Sequence, residues 1–426
     1  VAGGDAEGRA VKTRSLVIAG FSTVVEWYDF TLYLYLTTVL ARVFYGGGEG
    51  SLVETLAGFA LAYLMRPFGA LLFGHVGDRF GRRRMMLLSM AMMMVAMLAT
   101  ALLPTYAQIG PLAGWLLLAL RCLTAFAVGG EYTGVVAYLL EGAPRHRRGL
   151  ITSSASAASE IGGLAAVALS AATVAAMDQA SLDGWGWRIP FLVGAALAGA
   201  ILIARSTMEE SPEFERQRAE NSVPRNPLGH AWYHHRRAIA RGFAISALGS
   251  ITYYVGITYV PTFLQAAGAM DEGRALWLGT IAAVAVIAVT PLVGALSDRI
   301  GRRPVLISVA LGGAVLPATL FWMMAGGSVG QALAGAVLLA CLGGAVSAVG
   351  AVATAELLPG EGRLSGLAFG ATAATAIFGG LTPLVAHLLI EATGLAIMPG
   401  VMIALVAIVI LPLFLRLPET APGRGE

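Results

Sequence analysis

The chain has 426 residues, 57% of them hydrophobic and only 12% charged, with a net charge of +3. Soluble chains carry about 25% charged residues, so this composition excludes an ordinary water-soluble domain. The small positive surplus lies in arginine clusters between apolar runs, which sets membrane orientation and gives no footprint for nucleic acid.

Within lipid, only helices and closed barrels satisfy the backbone. The apolar runs are rich in Leu, Ala, Val and Ile and lack the alternation of a membrane barrel. A span takes about 20 residues, which predicts an all-α integral membrane protein with twelve transmembrane helices. They are expected near 15–40, 52–76, 85–104, 110–141, 150–176, 188–205, 239–267, 275–296, 304–326, 330–358, 364–391 and 395–417. The first run is too long for a signal-peptide core and reads as a retained helix. Cys122 and Cys341 fall in spans 4 and 10, so a disulfide framework is not expected.

Arginines mark one side. Arg9, Lys12 and Arg14 precede span 1. Arg79, Arg82, Arg83 and Arg84 follow span 2, and Arg145, Arg147 and Arg148 follow span 4. Arg216, Arg218, Arg225, Arg236 and Arg237 follow span 6, and Arg299, Arg302 and Arg303 follow span 8; the other side has Arg42, Arg188 and Arg274. The positive-inside rule then predicts a multi-pass chain with both termini cytoplasmic. The polar stretch 208–238 divides it into a six-helix domain at 1–207 and another at 239–426. Within that linker, His230, His234 and His235 lack cysteines or carboxylates at ligand spacing. With Trp232 and Tyr233 they read as an interfacial segment, and no metal is expected.

The halves repeat each other. Gly74-x-x-x-Asp78-Arg79-x-Gly81-Arg82-Arg83 recurs as Gly294-x-x-x-Asp298-Arg299-x-Gly301-Arg302-Arg303, and Glu141-x-x-Pro144 as Glu356-x-x-Pro359. Each acid closes a helix, where the dipole disfavours it, so each needs a basic partner. Arg82, Arg83, Arg302 and Arg303 are the nearest candidates. One ion-pair network per half is expected, with a gating role: joined in one state, broken in the other.

The doubled signature resembles the major facilitator superfamily. Val25-Glu26-Trp27-Tyr28-Asp29-Phe30, Leu64-Met65-Arg66-Pro67-Phe68-Gly69, Val128-Gly129-Gly130-Glu131-Tyr132, Trp185-Gly186-Trp187-Arg188-Ile189-Pro190-Phe191 and Ala376-Ile377-Phe378-Gly379-Gly380 resemble its metabolite:proton symporter family. That resemblance covers nearly the whole chain. It implies two pseudo-symmetric halves, alternating access, a bacterial inner membrane, and the proton as coupling ion with no other cofactor. Family substrates include 2-oxoglutarate, citrate, shikimate, proline and betaine, and a monomer suffices for such transport.

Charges inside spans are costly and mark function. Glu26 and Asp29 in span 1 share a helical face, and cannot both ionise in a low dielectric without a cation. Arg121 in span 4 is the expected partner and substrate contact; Asp29 is the first candidate proton carrier and Glu26 the second. Glu131 reads equally as a structural group, paired with Arg66 or loop arginines, and as a coupling group. Glu160 is a further proton site or a contact for a positive substrate group. Arg66, before Pro67, reads as a gating group or an anion contact. Tyr253 and Tyr254 in span 7 are site candidates, only one of which is expected to face a cavity. His387 is a minor proton candidate.

The leading expectation is proton symport of a small organic acid. The alternative is a zwitterionic osmolyte, for which Trp27, Tyr28, Tyr33 and Tyr35 offer aromatic faces. Export and a membrane sensor follow. No HExxH, Gly-x-Ser-x-Gly, Walker or CxxC pattern suggests an enzyme.

Overall fold

The computed structural model describes residues 12–48, 50–266, 270 and 272–421; Arg9 of the basic cluster before span 1 lies outside them. The described residues are helical with no strand. Span 1 is Thr13–Tyr35 continued by Thr37–Tyr45, span 2 is Ser51–Tyr63 with Arg66–Phe80, and span 3 is Arg82–Leu102. Span 4 is Leu112–Val128 with Glu131–Gly142, span 5 Arg148–Ala176 and span 6 Arg188–Ser206. A short helix, Pro212–Ala219, leads to span 7, which begins at Pro227 and runs to Ala266. Spans 8, 9 and 10 are Glu272–Ile300, Arg302–Gly326 and Val329–Glu356; span 11 runs from Arg363 to Thr393 in pieces, and span 12 is Met398–Leu415.

Ten of these are long and apolar enough to cross a membrane by length and composition alone. The exceptions are spans 1 and 7, which hold Glu26 and Asp29, and Tyr253 and Tyr254. Side chains such as Val53, Ile203, Leu292 and Val409 stand exposed on the outer surface, as lipid-facing positions require.

Prolines accompany three of the helix breaks, while those at Leu36 in span 1 and at Gly129 and Gly130 in span 4 have none. A proline has no N–H for the carbonyl four residues back and its ring crowds that oxygen. Span 2 breaks at Leu64 and Met65, just after Tyr63, the partner lost to Pro67. Span 7 widens into a π turn at Tyr254–Thr258, which contains Ile257, the partner lost to Pro261. Span 11 breaks from Gly379 to Leu381, ahead of Pro383. These breaks bring Tyr63, Tyr254 and Gly379 together near the centre of the molecule: a Cβ on Gly379 would stand 3.0 Å from the Tyr254 ring.

Three apolar clusters stay within one half. One, with Tyr28, Met97, Trp187 and Phe191, belongs to the first half; two, with Phe263 and Phe321 or Leu248 and Phe414, belong to the second. A fourth joins both: Phe73, Val135 and Tyr138 pack with Ile239, Val352, Leu364 and Leu367 at the arginine-rich end. There spans 5 and 8 cross so closely that a Cβ on Gly294 would collide with Ser153 and the Gly149 backbone. The halves are thus sealed together at the arginine-rich end.

Candidate functional site

The seal is built from the repeated motif. Gly81 and Gly301 turn the chain between spans 2 and 3 and between spans 8 and 9 at φ of 109° and 107°, a left-handed region favourable only to glycine. Each turn delivers an arginine inward. Arg82 donates to Glu141 through two hydrogen bonds of 3.1 Å and lies 3.2 Å from Asp78. Arg302 does the same with Glu356 at 3.1 Å and Asp298 at 2.8 Å.

The acids then reach across to the other half. Asp78 accepts from the backbone N–H groups of Leu364 and Ser365 at the start of span 11. Asp298 accepts from Gly149 and Leu150 at the start of span 5. The sequence sets each acid against its own helix dipole and seeks only arginine partners. The structure adds a second: the positive N-terminus of a helix from the opposite half. Arg363 of the second half also donates to Glu141 at 2.6 Å, and Arg82 donates to the Gly360 carbonyl at 2.8 Å.

The other expected arginines act differently. Arg83 donates to the Ser206 carbonyl and Arg303 to that of Leu415. Arg79 reaches the carbonyl of Arg225, and Arg299 has no described ion pair. Only one arginine of each pair enters the network, because the glycine turn aims Arg82 and Arg302 inward and leaves the next residue at the helix surface. Two further acids complete the repeat. Glu210 accepts from the N–H groups of Arg82 and Arg83, and Glu419 from those of Arg302 and Arg303. Their parallel positions just after spans 6 and 12 were the available sequence signal.

Between the halves lies a cavity of about 190 Å³, space for on the order of ten waters. Its charged lining is Glu26, Arg66 and Glu160, all from the first half. The second half contributes Tyr253, Tyr254 and hydroxyls including Ser246, Ser250, Ser347 and Thr375. The described hydrogen bonds between halves at this level are Tyr253 to Glu160 at 2.7 Å, Tyr63 with Tyr254 at 2.8 Å and Ser156 with Ser347 at 3.2 Å.

Arg66 lies on the cavity wall with its guanidinium carbon 4.6 Å from the Tyr63 ring and 5.2 Å from the Phe30 ring. Among the described residues it has no ion pair. Glu26 lines the same wall, buried, with one carboxylate oxygen lacking a hydrogen-bond partner. A narrower crevice of about 30 Å³ connects this pair to Asp29 and Arg121. Arg121 donates two hydrogen bonds of 2.9 Å to Asp29, one to each oxygen. Arg121 is therefore engaged, and does not line the central cavity.

Several expectations need correction. Tyr28 does not face the cavity: it is packed among Met97 and Gly194 and donates to the Pro190 carbonyl at 2.7 Å. Tyr33 is buried on Phe59 and Tyr35 is turned outward, so Trp27 alone of the four aromatics lines the cavity. Glu131 pairs neither with Arg66 nor with loop arginines. It takes Arg205, which also donates to Ser22 and to the Met86 carbonyl, while Ser89 donates to Glu131. Arg205, the last residue of the expected span 6, is not singled out in the sequence; the helix end folds it fully inward. Tyr253 and Tyr254 both line the cavity, since the π turn begins at Tyr254 and the two rings flank the cavity from adjacent positions. His387 lies 3.3 Å from the Tyr259 hydroxyl and 3.4 Å from Glu391, away from the cavity. His230, His234 and His235 cluster beside Glu361 at the arginine-rich end.

Comparison with known proteins places this geometry. The model of the family described as sugar (and other) transporters matches residues 15–226 and again 215–423. The chain is 34% identical to an ectoine/proline transporter of Corynebacterium glutamicum, over 89% of this chain and 78% of that one. It is 32% identical to an alpha-ketoglutarate permease of Escherichia coli, over 87% and 86%. A solved major facilitator superfamily proton:xylose symporter, bound to 6-bromo-6-deoxy-D-glucose, shares its fold at a TM-score of 0.78, with 22% identity and 96% of each chain covered. The chain belongs to the sugar (and other) transporter family of the major facilitator superfamily: it is a membrane-embedded secondary transporter of twelve helices in two pseudo-symmetric halves.

Proposed function

We propose that this protein couples proton entry to the uptake of a small carboxylate-bearing solute, with Arg66 holding the carboxylate. The observation that carries this is Arg66 itself: a guanidinium on the cavity wall, flanked by two aromatic rings, with no described ion pair. A planar fork of donors suits a carboxylate. Glu26 shares that wall and supplies the coupling. With the solute absent, Arg66 compensates the Glu26 charge. A bound carboxylate competes for Arg66, and Glu26 then takes a proton. Asp29 and Arg121 serve as a linked reserve behind it, reached through the narrow crevice.

The arginine-rich end is cytoplasmic on this reading, so the halves are closed toward the cytoplasm. Residues 1–207 and 239–426 rock as two bodies about the 208–238 linker in a monomer, with the Asp78 and Asp298 contacts breaking as the inner side opens.

Two solute classes fit. An organic acid uses Arg66, and the chain's likeness to an alpha-ketoglutarate permease supports it. A zwitterion uses Arg66 together with the acids on the same wall, and the likeness to an ectoine/proline transporter supports that. Uptake of labelled 2-oxoglutarate, citrate, shikimate, glycine betaine and L-proline into proteoliposomes, with and without an inward proton gradient, tests the proposal. Gradient-driven accumulation of at least one is expected. Accumulation of none, or accumulation indifferent to the gradient, overturns it.

A further inference from the structure

We propose that Glu160, with Tyr253 and Trp27, forms a subsite for a positively charged N–H group, so that the cavity selects a zwitterion bearing a primary or secondary ammonium over a quaternary betaine or a di- or tricarboxylate. The proposal deepens the transport reading above and rests on it.

The four acids of the first half's interior are not equivalent. Asp29 has Arg121 and Glu131 has Arg205 as ion-pair partners. Glu26 shares its wall with Arg66. Glu160 has no ion pair among the described residues. It lies in span 5, 8% exposed, and its one described hydrogen bond is the 2.7 Å contact donated to Oε1 by the Tyr253 hydroxyl. A carboxylate this deep with one neutral donor is under-compensated. Its second oxygen has no described protein donor and the residue lines the cavity, so that oxygen is open to a donor from a bound solute.

The surroundings suit a cation. The rings of Trp27 and Tyr253 meet edge to face at 5.2 Å, and both line the cavity with Glu160. Aromatic faces attract a positive group, and a carboxylate beside them adds charge and a hydrogen-bond acceptor. Arg66, of opposite charge, lines the same cavity. A solute with a carboxylate for Arg66 and an N–H cation for Glu160 satisfies both. A quaternary ammonium meets the rings but has no N–H to give to the free carboxylate oxygen. A second carboxylate brings like charge to Glu160 and is repelled.

The test is calorimetric binding to the purified full chain at fixed pH without a gradient, with L-proline, glycine betaine, 2-oxoglutarate and citrate as probes. L-proline is expected to bind tightest. Glu160→Gln is expected to weaken L-proline by roughly tenfold or more, while glycine betaine shifts by less than about threefold. Glu160→Asp, which keeps a carboxylate, is expected to keep L-proline ahead of glycine betaine, and Trp27→Leu, which removes an aromatic face of the subsite, is expected to weaken both probes. These two variants keep the test decisive should Glu160→Gln fold poorly. Tighter binding of an acid or of glycine betaine by the wild type, an unchanged L-proline affinity in Glu160→Gln, or an unchanged L-proline affinity in Trp27→Leu overturns the subsite and leaves the transport reading standing. Binding of none of the four overturns the subsite, and if shikimate is not accumulated under a proton gradient either, the transport reading falls with it.

Discussion

Asp29 and Arg121 face each other through two parallel hydrogen bonds of 2.9 Å, buried between spans 1 and 4 and outside the central cavity. Removing one member of such a pair leaves the other charge buried and uncompensated, at a cost of about 3–5 kcal/mol. Asp29→Asn and Arg121→Gln are each expected to lower the thermal unfolding midpoint in detergent. The double variant should recover part of the loss, since no bare charge remains. Additive losses in the double variant would show that the two side chains are not energetically joined.

Glu26 has a different test, because it faces the cavity beside Arg66. Glu26→Gln cannot gain or lose a proton. Proton-driven accumulation is expected to disappear, while solute exchange between preloaded vesicles and medium persists. Accumulation at the wild-type level would move the proton to another acid.

Arg66 carries the carboxylate on this reading, and a lysine does not replace a planar fork. Arg66→Lys is expected to weaken every carboxylate probe by roughly tenfold to a hundredfold, measured by calorimetry. An effect confined to turnover, with binding intact, would return Arg66 to a gating role.

Asp78 and Asp298 join the halves at the arginine-rich end by accepting from helix N-termini across the interface. Asparagine keeps an acceptor but loses the charge. Asp78→Asn is expected to slow turnover more than it weakens binding, and to raise maleimide labelling of a Ser347→Cys reporter, built without Cys122 and Cys341, from that end. A defect in binding alone would argue against a gate.

Gly149 and Gly294 allow spans 5 and 8 to meet. Gly294→Val is expected to hold the halves apart there and to increase labelling of the same reporter. Unchanged labelling would mean that the crossing is not what closes this end.

Much of this was present in the linear sequence because it depends on local rules. Twelve apolar runs, the arginine asymmetry, the repeated Asp78 and Asp298 motifs and the embedded charges follow from what a bilayer tolerates at each position along one helix. The pairing of Asp29 with Arg121 could also be anticipated, since two buried charges of opposite sign at mid-span have few other partners. What only the tertiary structure decided is which face each charge turns to. Arg205 sits at a helix end like any boundary arginine, yet folds inward to Glu131. Tyr28, two residues after Glu26, points into its own half while Glu26 and Trp27 reach the cavity, because neighbouring positions on a helix are rotated by about 100°. Asp78 finds the N-terminus of a helix 286 residues further along the chain. A helix's own sequence sets its polarity and its breaks; packing between helices fixes its rotation and its partners, and here that packing separates the charges buried in pairs from those left to face the solute.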